Sequence, residues 1–173
     1  MALIITPENR SFLSNNKFEF VLRRIPNFTY LVQSVNLPTL TLGSSSVNTP
    51  FVALSIPGTQ LSFGTLSLTF MVDEDMQSWY ELYDWMWQLG NPESYDKRGR
   101  LSDEDDLINS VTSDASLFVK TNSNNPNIKV VFKDVYPVEL GELPFNSTSS
   151  QEFLTSSVTF AYTYYKIEIW HLP

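Results

Sequence analysis

A chain of 173 residues carries a formal net charge of −8, no cysteine and a single histidine, His171. Disulfides and thiolate metal sites are therefore excluded, and zinc and blue-copper centres lack their usual ligands. The acidic balance argues against a specific nucleic-acid site, because phosphate is held mainly by Lys and Arg and the only basic concentrations are Arg23-Arg24 and Lys97-Arg98-Gly99-Arg100.

The length suits one domain over residues 1–173. The apolar stretch Met1–Ile5 is too short for a signal peptide and no run is long enough to span a bilayer, so no membrane role and maturation in a reducing cytoplasm are expected. Asn27-Phe-Thr29 and Asn146-Ser-Thr148 match the glycosylation sequon by chance on that reading. Charged residues make up 17% where about 25% is usual, and aromatics are plentiful. A surface poor in charge and rich in aromatics is that of a chain buried against partners; a Ser/Thr-rich soluble β domain accounts for the composition equally well.

In chain order, residues 1–15 lack periodicity and read as an N-terminal arm. Phe18, Phe20 and Leu22 alternate with polar residues, the period of a strand with one buried face. Ile25-Pro26-Asn27 turns the chain into strands over 28–35 and 35–42, broken near Pro38. Residues 43–60 form the most open stretch, with Gly43, Pro50 and Pro57-Gly58, yet they contain Phe51, Val52, Leu54 and Ile56. These four either fold back onto the domain or belong to an extended arm that docks on a neighbouring subunit.

The apolar phase slips between Leu61, Phe63 and Leu66, Leu68, Phe70, Val72, which predicts a bulge or bend at Gly64-Thr65. A similar slip divides 153–169. Bent strands of this kind suit a barrel or an orthogonally packed sandwich. Between them, Met76, Trp79, Tyr80, Tyr83, Met86 and Trp87 recur at spacings of three and four, predicting a helix over about 75–89 with Asp73 and Asp75 at its start and Gly90, Pro92 at its end. This aromatic stripe is expected to pack on the sheet, with a sugar or cofactor platform as the sharper alternative. Residues 91–114 form a polar insertion; strands resume at 117–120 and 128–135 around a turn at 122–127.

No chemistry emerges. His171 stands near the C-terminus without a nucleophile, no Gly-rich phosphate loop is present, and four consecutive acids at 103–106 cannot converge on calcium as spaced ligands do. The expectation is no enzyme, no cofactor and no metal. The fold class predicted is mainly β: two packed antiparallel sheets forming a barrel-like sandwich, flanked by one helix.

The order of elements, with Ser34-Val-Asn-Leu-Pro38, Leu66-Ser-Leu-Thr-Phe70, Trp79-Tyr-Glu-Leu-Tyr-Asp-Trp85 and Tyr136-Pro137 followed by Gly141-Glu142-Leu143, resembles the tail tube protein family of contractile-tailed phages. The last group looks like that family's Trp-Pro then Gly-Glu-Leu turn. The resemblance covers about Lys17 to Glu168 and leaves 91–114 and Trp170–Pro173 without a counterpart. It implies a virion-tail protein, assembled in the host cytoplasm, whose hexameric rings stack into a tube. The implied partners are further copies of itself, a sheath outside, a tape-measure protein and passing DNA within, and baseplate or tail-completion proteins at the ends. A tube-fold protein with a single-ring role, an initiator or terminator, is the nearest rival; a carbohydrate-binding sandwich using Trp79, Trp85 or Trp87 is the more distant one.

Overall fold

The computed structural model describes residues 11–48, 50–91, 111–147 and 153–170. The N-terminal ten residues and most of the polar insertion, with its basic and acidic runs, lie outside that set, as does His171.

Among the described residues, nine strands, one α-helix and one 3-10 helix follow in the order β1 (Phe18–Leu22), 3-10 helix (Pro26–Tyr30), β2 (Val32–Asn36), β3 (Leu40–Asn48), β4 (Ala53–Phe63), β5 (Leu66–Met71), α1 (Gln77–Leu89), β6 (Ser113–Lys120), β7 (Pro126–Leu140), β8 (Thr155–Ala161) and β9 (Tyr164–Ile169). All pairings are antiparallel. One sheet runs β1-β6-β7-β9; the other runs β7-β8-β5-β2.

The 15-residue β7 belongs to both sheets. Ser113 opposes Val135 and Ala115 opposes Phe132, so β7 carries one extra residue here, and Asp134 takes a left-handed φ of 57°. A bulge of this kind bends a strand. The partner strand breaks in step: β8 ends at Ala161, β9 begins at Tyr164, and Thr163 donates its N–H to the Lys133 carbonyl. The predicted face exchange in 153–169 is this corner.

The two sheets enclose a core of Phe20, Leu22, Leu66, Leu68, Phe70, Leu117, Val130, Phe132, Val158 and Phe160, all at most 6% exposed. Burying a side chain of this size contributes about 1.5–3 kcal/mol. Phe28 of the 3-10 helix closes one side, its ring 4.8 Å from Phe70. The expected strand from residue 28 thus starts only at Val32, because Pro26 fixes the φ that a tight helical turn needs and Phe28 gains the core from there.

Three further expectations are corrected. Residues 43–60 are not an open stretch: β3 and β4 pair over most of it as a hairpin. Strand β6 begins at Ser113, inside the region read as insertion. Tyr136 and Pro137 are not in a turn; they are strand residues of β7, opposite Ala161 and Phe160.

Gly64-Thr65 is the predicted bend, separating β4 from β5. A Cβ at Gly64 would lie 2.6 Å from Thr39 Oγ1, so a side chain there would force Thr39 to shift.

Candidate assembly surfaces

Helix α1 starts beyond Met76, which adopts a left-handed φ of 53°. Asp73 accepts hydrogen bonds from Gln77 N, Ser78 N and Ser78 Oγ (2.6 Å) and so satisfies N–H groups that the first helical turn leaves without partners. Partial burial raises the Asp73 carboxyl, but these bonds outweigh it and hold it below its ordinary value.

The helix buries Ser78, Leu82 and Trp85, not the predicted stripe. Trp85 is 1% exposed, near Phe160, with Arg24 over its ring and its Nε1–H donated to the Val111 carbonyl. Trp79 is half-buried against the core, whereas Tyr80 and Tyr83 are exposed. Trp79, Tyr83 and Trp87 stack in succession, 5.6 and 5.7 Å apart. Spacing alone cannot rank two adjacent apolar faces, and the face that contacts the sheets carries Ser78 and Leu82 beside Trp85. The ladder borders a shallow groove of about 410 Å³ with Met86 and Leu140. Trp85, sealed in the core, cannot serve as a sugar platform.

Gly141 follows β7, donating its N–H to Ser157 O at 2.6 Å while its carbonyl accepts from Ser156 Oγ. Tyr136 and Glu142 are exposed, Leu143 is half-buried and Pro137 is buried. Among the described residues no group of three His, Asp or Glu could hold a metal ion.

The hairpin is the more telling surface. No Asp, Glu, Lys, Arg or His occurs between Arg24 and Asp73, a span that includes all of β2 to β5. Pairing puts Val47 opposite Leu54 and Ser45 opposite Ile56 on one face; Ser44, Ser46, Asn48, Ala53, Ser55 and Pro57 form the other. Val47, Leu54 and Ile56 are each about half exposed, Val52 more so, and Phe51 at the tip is 98% exposed. Gly43 approaches Gly58 so closely that a Cβ on Gly58 would meet the Gly43 carbonyl oxygen at 2.6 Å. The register shifts there, dividing a root that carries Leu40, Leu42, Leu61 and Phe63 from the outer hairpin. Sequence reasoning located the four apolar residues but missed the strands, because Gly, Ser and Pro obscure the alternation.

At the root, Phe63 meets Tyr162 and Tyr165 edge-on, and Tyr165 donates its hydroxyl to the Pro38 carbonyl. Burial, then the neighbouring Tyr165, pushes the Tyr162 hydroxyl up to about 12.

A wedge of about 1030 Å³ lies between β1 and β2, lined also by the entry segment Leu13–Asn16. Its floor includes Phe18, Leu117 and Val119, and its wall Val32, Val35 and Leu37. Lys17, Glu19 and Lys120 stand around it, with Glu19 and Lys120 ion-paired at 2.6 Å. Among the described residues β1 pairs only with β6 and β2 only with β5, so both strands flanking the wedge present free edges.

Comparison with known proteins agrees with this architecture. A tail tube terminator protein of Enterobacteria phage T4 is 27% identical over 146 residues, covering 82% of this chain and 78% of its own. The tube-terminating cap of the anti-feeding prophage superposes with a TM-score of 0.67 at 13% identity, covering 98% of this chain and 99% of its own. The sheath–tube complex of an extracellular contractile injection system (PVC, extended state) gives 0.65 at 12% identity, covering 92% and 93%. At these identities the two structures establish a shared fold alone. The profile of the family described as phage tail tube protein matches residues 5–168, and the chain accordingly belongs to the phage tail tube protein family, structural and non-enzymatic components of phage tails.

Proposed function

We propose that this chain, as one tube-fold domain, forms the ring that terminates a contractile phage tail tube. The observation carrying this reading is the 27% identity to the T4 tail tube terminator across 82% of the chain. The mechanism is physical: subunits associate through exposed apolar surface and free strand edges, which buries what a solitary monomer leaves in water. The β3–β4 hairpin, with Phe51, Val52, Leu54 and Ile56, is the arm that docks on a neighbouring subunit. Six copies per ring, a tube ring beneath and sheath or tail-completion proteins beside it complete the assembly in the host cytoplasm. DNA and tape-measure protein pass through a lumen whose acidic or neutral wall offers phosphate no site.

The second reading is a stacked tube subunit, favoured by the likeness to the sheath–tube complex, whose TM-score stands beside that of the cap. The two differ in whether assembly stops. Negative-stain electron microscopy of the purified chain, with light scattering, separates them. Single rings that bind the end of preformed tubes are expected. Hollow filaments of the chain alone overturn the terminator reading in favour of the tube subunit, and a monomer that neither assembles nor binds tubes overturns both.

A further inference from the structure

We infer that residues 2–6 dock on their own domain as a further strand at the free edge of β9, where Leu3 and Ile5 cover Ile167 and Ile169. The inference goes beyond the terminator reading and does not rest on it.

Residues across the first sheet align in rows on its inner face. Leu22, Ala115, Phe132 and Tyr165 form one row; Phe20, Leu117, Val130 and Ile167 the next; Phe18, Val119, Ile128 and Ile169 the last. Burial fades along that order, and it fades most at β9. Leu22, Ala115 and Phe132 are fully buried, whereas Ile167 and Ile169 are 52% and 59% exposed on the same face as buried Val130 and half-buried Ile128. No residue of these rows carries a charge. An aliphatic corner of a core face thus lies open beside an edge strand.

The path of the chain leads to that corner. Immediately before β1, residues 13–16 line the wedge, and Leu13 also borders a cavity of about 240 Å³ with Ser11, Phe12, Asn122, Asn127 and Ile128. Ser14 donates its hydroxyl to Asn122 Oδ1 at 2.6 Å, and Asn122 Nδ2 donates to the Phe12 carbonyl. Followed from Lys17 back to Ser11, the chain therefore passes from β1 beyond the β6–β7 turn to the start of β7. Strand β9 comes next, with Ile169 opposite Ile128.

Length and chemistry of the ten residues before Ser11 fit the site. Six peptide steps from Ile5 to Ser11 span at most about 20 Å. Two strand spacings, from Ile128 across Ile169 to a strand beyond, need only about 10 Å. Ile5 then lies beside Ile169 and Leu3 beside Ile167, the alternation that puts both on the inner face. Ala2-Leu3-Ile4-Ile5 closes the longest apolar run ahead of β1, and Ile and Thr favour a strand. Pro7, which has no N–H to give, ends the pairing after Thr6. Among the described residues β9 pairs with β7 alone, so its other edge offers free backbone groups to the incoming segment. Docking also removes aliphatic surface from water on both sides of the contact.

The sequence contains no cysteine, so introduced pairs report the contact cleanly. Leu3→Cys is combined in one chain with Ile167→Cys, or with Tyr30→Cys, an exposed position beside the wedge, as control. Each double variant is diluted until light scattering shows monomer, treated with a short bismaleimide, and read by intact mass and denaturing gel; the same reaction in unfolding urea gives the background. The expected result is an internal bridge to Ile167→Cys well above background and none to Tyr30→Cys. A bridge to Tyr30→Cys instead places the segment in the wedge, a covalent dimer places it on a second copy, and no bridge leaves β9 uncovered; each overturns the inference. Stability supplies a second readout that needs no cysteine. Leu3→Asp with Ile5→Asp should lower the urea midpoint of the monomer, and a midpoint equal to the parent's overturns the contact. Neither failure touches the terminator reading, which is decided by rings on tube ends.

Discussion

Leu54→Asp separates folding from assembly. Leu54 sits on the apolar face of the outer hairpin, 51% exposed, with Val47 opposite. Full burial of a leucine contributes about 1.5–3 kcal/mol, so the half still exposed holds about 1 kcal/mol for a neighbour to gain. Leu54→Ala should therefore weaken each contact by about fivefold. A carboxylate must also be stripped of water, an effective penalty of several kcal/mol, and aspartate is too short to reach back to solvent. The contact should lose about 3–5 kcal/mol, or about two to three and a half decades of association constant at about 1.4 kcal/mol per decade. Folding should change by no more than about 0.5 kcal/mol, the usual range for an exposed site. Light scattering across a concentration series gives the first quantity, and urea denaturation of the monomer gives the second. Rings that persist at the parent's concentration refute the docking of this face. A loss of monomer stability above about 1 kcal/mol refutes it differently, because the hairpin would then be packing on its own domain.

Trp85→Ala removes a side chain held in the core beside Phe160 and should cost about 3–5 kcal/mol in urea denaturation. Gly141→Ala places a Cβ 2.5 Å from Ser157 Oγ and 2.9 Å from Ser157 O, so an overpacking cost of about 1–3 kcal/mol should appear in the same assay. Asp73, held low when folded, contributes stability above its unfolded value near 3.8 that is lost as pH falls through the folded value; Asp73→Asn should flatten that acid limb of a stability–pH profile. Tyr162, pushed up to about 12 from 10.0, keeps its proton longer in the folded state, so stability should fall as pH rises from about 10 to 12, and Tyr162→Phe should remove that component of the alkaline limb.

The sandwich was readable because its strands alternate cleanly: Phe18-Glu-Phe-Val-Leu22 and Leu66-Ser-Leu-Thr-Phe70 put one residue in two into the core. The bends at Gly64 and near Thr163 were readable because a change of sheet face changes the apolar phase. The helix was placed to within two residues, but its buried face was not. Trp79, Tyr83 and Trp87, four residues apart, stack on one another along the helix, and only tertiary contact shows that the adjacent face with Ser78, Leu82 and Trp85 is the one buried. The wedge was invisible for a different reason. It arises where the inner face of the first sheet, fully buried at Leu22, Ala115 and Phe132, overruns the second and is only half-buried at Phe18 and Val119, and no local pattern reports how far two sheets overlap.

That overrun also bears on why the chain can afford so few charges. A monomer with Val47, Leu54 and Ile56 half in water, and without a charged side chain between Arg24 and Asp73, carries surface that a solitary soluble domain would cover with Lys and Glu. Its charge of −8 is borne by the remaining segments. The partition assigns two tasks to two parts of the sequence. On the proposed reading, charge keeps the free subunit dispersed while its copies are scarce, and the uncharged hairpin supplies the contact once copies meet. Raising salt should screen the first and leave the second intact. Assembly that strengthens with ionic strength fits this division, whereas assembly that dissolves in salt would place ion pairs, not the apolar hairpin, at the centre of the interface.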